Sequence, residues 1–276
     1  FHSDRFPNVG IPQAAAAKNL EQFKKIVAMA KERGIRTSLM SYHAGWSKTD
    51  EDKTPEPNDK DLSDYTAEMV EKTLKDIPDL WMTGFRIGES GRQEDFFKDS
   101  YLRGIENGGR DIYLFTRSWQ AKAAMVRAIG DAYPGRFFVE IKYNGEHLGL
   151  PYQAITVNRS APSYSWEDYT NWPRNYKIIW QVRANGTHRL FRWGDPDFAR
   201  RAARSLEFGH AAGFSMEPMT SYYSPIDFFH KNHADFDYFK WDHQRNWYWY
   251  MLWGRMTYDP ATPDEVWLAR FGAKFG

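Results

Sequence analysis

The chain has 276 residues, 42% hydrophobic and 17% aromatic, enough for one large domain or two small ones around a core. Its 37 Lys and Arg face 36 Asp and Glu, so a formal net charge of +1 provides no global field to draw in nucleic acid or an anionic membrane, and neither is expected as a partner. The absence of cysteine excludes disulfides and a thiolate metal site, no apolar run approaches the roughly 18 residues of a membrane span, and the opening FHSDRFPNVGIPQ lacks the basic-then-apolar order of a signal peptide.

Helical and strand-like segments alternate along the chain. Between Asn19 and Arg33, the residues Leu20, Phe23, Ile26, Val27 and Ala30 recur at helical spacing and Gly34 stops the pattern. The run Ile35 to Trp46 is short, rich in strand formers and ends in a turn. Ser47 to Leu62 is charged, holds prolines and has no period, which predicts an exposed loop. Ser63 is then the expected cap of a helix carrying Met69, Val70 and Leu74, ahead of a strand in Leu80 to Ser90. A helix over Asp95 to Asn107, a strand in Asp111 to Trp119, a helix over Ala121 to Tyr133 and a strand in Phe137 to Asn144 continue the alternation. An irregular insertion, Gly149 to Pro173, precedes a strand in Lys177 to Gly186. The next helix is fully punctuated, with Asp195 as cap, Pro196 first, Ala199, Ala202, Ala203 and Leu206 as its packed face and Gly209 as terminator. Gly213 to Thr220 is the sixth strand.

Six strands separated by helices predict an α/β fold with a parallel sheet. No Gly-rich phosphate loop follows an early strand, so the expectation is a closed (β/α)8 TIM barrel rather than a nucleotide-binding sheet. Such a barrel needs eight strands; residues 1–276 are therefore expected to form a catalytic barrel domain incomplete at its N-terminus, lacking its first one or two strands.

Barrel enzymes carry their chemistry at the C-terminal ends of the strands, which selects candidates directly. These are His43, Glu89, Arg117, Trp119, Lys142, Glu146, His147, Arg183, Asn185 and Glu217, with Arg86, Arg92, Arg189 and Arg192 at or beside the same ends. Glu89 stands among cations in GFRIGESGR as a candidate general acid, the alternative being an ion-pair strut. Glu140 and Lys142 share a face of their strand by the period of two, and a buried Glu140 would be paired with Lys142, leaving Glu146 and His147 freer. Glu217, just before Pro218, either faces the mouth or orients an arginine. The concentration of cations suits a carboxylate or sulfate ligand, and aromatic residues such as Trp46, Tyr152, Trp166 and Tyr222 offer flat faces for sugar rings. Trp247, Trp249 and Trp253 are assigned to the core. His230, His233, Asp235, Asp237 and His243 match no firm metal signature and read as a solvated polar loop, so neither metal nor cofactor is expected. Sequons occur at Asn158 and Asn185.

Three stretches carry a family resemblance. Trp247 to Gly276, with its GR, aromatic, aspartate and proline pattern before an acidic helix start, resembles the closing segment of bacterial α-glucuronidases and related barrel glycoside hydrolases. FFVEIKYNGEH resembles that family's strand leading to an Asn-Gly turn and a catalytic carboxylate, and IIWQVRANG resembles the next strand. The resemblance implies Glu89 as general acid and Glu146, after a small shift, as the second carboxylate. Where the family has a further glutamate, this chain has Asn185.

The expected function is hydrolysis of a uronic-acid-containing polysaccharide or oligosaccharide. Glu89 would act as acid, Glu146 or Glu217 as base or nucleophile, and Arg117, Arg183 and Arg189 would hold the substrate carboxylate. A polysaccharide lyase using Tyr143 or His147 as base, and an inactive barrel that binds acidic glycans, are the alternatives. The family habit of attacking external glycans leads to a secreted or periplasmic expectation, with flanking domains outside this chain.

Overall fold

The computed structural model describes residues 12–41, 57–88, 90–144, 150–153, 166–183, 194–217 and 242–276, with Arg183, Glu217, Asp242 and Arg245 described by backbone alone. The chain divides into two compact units, Phe1–Ile141 with Glu167–Lys177, and Lys142–Trp166 with Ile178–Gly276.

The first unit contains α1 (Gln13–Glu32), β1 (Ser38–Ser41), α2 (Asp59–Asp76) and β2 (Met82–Arg86). A continuous helical stretch follows, α3 (Glu94–Phe97), a π turn (Lys98–Leu102) and α4 (Arg103–Gly108), then β3 (Tyr113–Arg117), α5 (Ala123–Ala132), β4 (Phe137–Lys142) and α6 (Glu167–Thr170). Helix α2 starts four residues before the expected cap. Asn58 accepts a hydrogen bond from the Asp61 amide at 2.9 Å, and Asp59 and Asp61 suit the positive end of the helix dipole, so the predicted loop is shortened and Ser63 lies inside the helix.

All five residues of β2 are buried. Phe85 stacks on Phe97 with ring centroids 4.3 Å apart and meets Tyr101 at 4.7 Å, which fixes the face of β2 covered by α3 and the π turn. Alternation puts Gly84 on the other face, where a Cβ would lie 2.3 Å from the Phe115 carbonyl oxygen. Gly104 brings α4 against α2, since a Cβ there would fall 2.6 Å from the Ala67 oxygen and 2.7 Å from the Val70 Cβ.

In the second unit, β5 (Lys177–Arg183) is followed by α7 (Pro196–Ser205), a 3-10 turn (Phe208–His210) and β6 (Gly213–Glu217). The unit ends in α8 (Asp242–Arg245), α9 (Trp247–Tyr258) and α10 (Glu265–Phe275). The punctuation of α7 is as expected: Asp195 accepts from the Asp197 amide at 3.0 Å, Pro196 opens the helix, and Ala199, Ala202 and Ala203 are buried. Trp249, Leu252, Trp253 and Met256 bury one side of α9 together with Trp267 of α10, whereas Trp247 is half-buried beside Phe271.

Every described ladder is parallel, and the strand order is β1-β2-β3-β4-β5-β6. This corrects the expected (β/α)8 TIM barrel. Closure requires every strand to have two neighbours, whereas this ladder steps one strand at a time through six and stops, leaving β1 and β6 as outer strands among the described residues. The α/β class and the parallel pairing stand.

Candidate active site

In the first unit, the last residues of β2 and β3 are both arginines. The parallel register sets Arg86 beside Arg117 and Arg117 beside Glu140 of β4. Paired residues of a parallel ladder project to the same face, so the three form a row across three strands. Arg86 is 5% exposed and Glu140 6%. The Arg117 Nε donates to Glu140 Oε2 at 2.7 Å, a charge-assisted bond between side chains withdrawn from water. An ion pair of Glu140 therefore runs across the ladder to β3, a partner that the period of two within β4 does not indicate. Lys142 is itself buried, at the end of β4.

The turn beyond β3 is held from behind. The Ala121 amide donates to the Ser118 carbonyl at 3.1 Å, and the Tyr169 hydroxyl of α6 donates to the Ala121 carbonyl at 2.5 Å. Burial pushes the ionisation of Tyr169 far up, so the phenol keeps the proton it donates. Trp119 is half-buried in this turn, and Gln120 adopts φ +54°, a left-handed conformation rare for a residue with a side chain. The end of β2 presses on it: a Cβ at Gly88 would lie 2.0 Å from the Trp119 oxygen, so only glycine fits there.

In the second unit, the Tyr143 amide donates to the Gln181 carbonyl at 2.9 Å, and Gln181 is 6% exposed. Gln181 pairs in register with Ser215, and the Cα of Arg183 with that of Glu217. Asn144, also buried, donates to the Leu150 carbonyl at 2.8 Å. The Tyr143 ring meets Trp180 edge-on at 6.3 Å and its hydroxyl lies 2.5 Å from the Ser205 hydroxyl of α7, so this side chain is turned to the helix. Burial pushes its ionisation up to about 12. A phenol so placed is not a base at neutral pH, which removes one of the two residues on which a lyase would rest.

His43, Glu89, Glu146, His147, Asn185 and Arg189 lie outside the described residues. The structure thus brings together Arg86, Arg117 and Glu140, with Trp119 beyond them, in the first unit. It places Lys142 and the backbones of Arg183 and Glu217 in the second. Gln181 and Asn144 were not singled out from sequence, although Gln181 stands at the period of two from Arg183. Of the histidine and aspartate group near residue 235, His243 alone is described, and it is exposed on α8. Among the described residues, no group of three or more His, Asp or Glu could hold a metal ion.

No family model matches the chain, and no curated protein matches it. A solved structure does: a GH138 enzyme targeting pectin rhamnogalacturonan II, with a TM-score of 0.72 and 19% sequence identity over 100% of this chain. The likeness is one of fold. The match takes in 33% of that enzyme's chain, so this chain spans about a third of its length.

Proposed function

We propose that this chain belongs to a glycoside hydrolase acting on a uronic-acid-containing polysaccharide or oligosaccharide, with a specificity of the α-glucuronidase kind. The observation that carries the proposal is the buried row at the strand ends, in which two guanidinium groups accompany one carboxylate. A guanidinium held rigid by a buried carboxylate keeps its planar fork in a fixed direction, a geometry that suits the planar carboxylate of a uronate. The fold shared with an enzyme that targets pectin rhamnogalacturonan II supports a polysaccharide substrate. In this scheme Glu89 protonates the leaving oxygen, Glu146 or Glu217 is base or nucleophile, and Lys142, Arg183 and Arg189 assist Arg86 and Arg117. The polymeric substrate leads us to propose a secreted or periplasmic protein.

The test is a combined reducing-end and ultraviolet assay of the full chain on uronic-acid polysaccharides and oligosaccharides, rhamnogalacturonan II included, with Glu89→Gln as control. New reducing ends without ultraviolet absorbance, lost by about a hundredfold or more in the variant, are expected. Unsaturated products would make the protein a lyase, and full activity in the variant would remove Glu89 from the mechanism. Binding without turnover would make it a glycan-binding protein.

A further inference from the structure

We propose that a second cleft, over the first turns of α2 and α3, binds a neutral sugar unit of the glycan, a proposal that rests on the glycan-directed function above. The cleft has a volume of about 550 Å3, within the roughly 300–1,000 Å3 usual for small-molecule sites, and is built wholly from the first unit. Its walls come from the start of α2, the turn after β2 and the start of α3. In a parallel βα arrangement the helices begin at the end where the strands finish, so the cleft opens at the end of the unit that carries Arg86 and Arg117.

Ser63 indicates a ligand. The residue lines the cleft and is 7% exposed, and its hydroxyl oxygen is itself closed to solvent, with no hydrogen-bond partner among the described residues. A buried hydroxyl without a partner costs about 1–3 kcal/mol, and helical serines ordinarily relieve this by bonding to the carbonyl four residues back. Thr66 and Thr73 of the same helix do so, at 2.7 Å and 2.6 Å. Ser63 does not, and turned about its Cα–Cβ bond towards the cleft it brings a hydroxyl that both donates and accepts, a fitting partner for a sugar hydroxyl.

The charges around Ser63 decide the class of sugar. Four aspartates line the cleft, Asp59, Asp64, Asp95 and Asp99, against Lys60, Arg92 and Arg103. Arg92 is ion-paired with Asp59, while Asp64 takes Lys60 and Arg103, each at 2.7 Å. Those two hydrogen bonds hold the Asp64 carboxyl below the usual carboxylate range. A uronate would bring a fifth carboxylate to cations already engaged. A neutral sugar donates hydroxyls to the aspartates and accepts from the guanidinium groups without disturbing either. Phe96 adds an apolar surface for the C–H face of the ring, with the Arg92 guanidinium 5.2 Å from its centroid. The cleft would therefore read the uncharged residue that neighbours a uronate along or beside the chain.

The test is a nuclear magnetic resonance titration of the full chain with methyl β-galactoside and, separately, with the methyl β-glycoside of galacturonic acid, which differ only in the carboxylate at C6. Saturable shifts in the millimolar range are expected for the neutral sugar at residues of the cleft, with the uronate at least fivefold weaker there. Ser63→Ala, which deletes the orphan hydroxyl and leaves thermal stability unchanged or raised, is expected to weaken the neutral sugar at least threefold; Phe96→Ala is expected to weaken it further. Equal binding of the two sugars, no saturable binding of the neutral one, or unchanged binding in both variants would overturn the proposal. The readout needs no turnover, so binding retained in Glu89→Gln, or in a chain inactive on every polysaccharide, separates failure of the hydrolase from failure of the cleft.

Discussion

The Tyr143 hydroxyl lies 2.5 Å from the Ser205 hydroxyl of α7, and burial pushes its ionisation up to about 12. Tyr143→Phe is therefore expected to leave kcat and KM on uronic-acid substrates within about twofold, while removing one net hydrogen bond worth about 1 kcal/mol in denaturant unfolding. A hundredfold fall in kcat at unchanged stability would return the phenol to the chemistry. Its place just past β4 was legible in the sequence, where it was a possible lyase base; its turn towards Ser205 was not. The same division holds for Arg117. Its place at a strand end follows from local pattern, but its bond to Glu140 depends on the register between β3 and β4, a non-local quantity that no spacing within one strand contains. Tyr169 was hidden for a further reason. It belongs to a short helix, Glu167–Thr170, inside a stretch without any period, and its bonds reach back 48 and 51 residues to the turn it supports.

Helices α2 and α4 meet at Gly104, where a Cβ would strike both the backbone of Ala67 and the side chain of Val70. Alanine is the better helix former by about 1 kcal/mol, yet Gly104→Ala is expected to lower stability by roughly 1–3 kcal/mol, because one helix must move off the other. Urea unfolding of the variant measures this; an unchanged or higher midpoint would show that the helices separate without cost. Most elements were legible because their signals are local. Six strands, the α7 cap at Asp195 and the stop at Gly34, with its φ of +69°, follow from apolar period and turn chemistry. Boundaries moved where a stronger signal lay nearby. Asn58 took the cap assigned to Ser63, and α1 begins at Gln13 because the alanine run before Asn19 propagates helix although it carries no amphipathic stripe.

For the molecule as a whole, strand order was legible because each helix returns the chain to the next parallel position, but barrel closure was not. Closure depends on strand number and stagger together, and six units of strand and helix supply neither the eighth strand nor a return from β6 to β1 among the described residues. The buried phenols, by contrast, act on the whole molecule at once. Burial pushes Tyr101 and Tyr143 up to about 12, and Tyr169 beyond that, whereas the unfolded chain releases such protons near 10. Above pH 10 the unfolded state therefore holds fewer protons than the folded one, and stability is expected to fall as pH rises from about 10 towards 12. Alkaline titration followed by tyrosinate absorbance and by circular dichroism together checks this: the last rise in absorbance should coincide with loss of structure, and release of every phenol with the fold intact would contradict it. The hydroxyls that brace the turn after β3 and tie Tyr143 to α7 thus make the protein its own optical indicator, changing colour in the ultraviolet at the moment it comes apart.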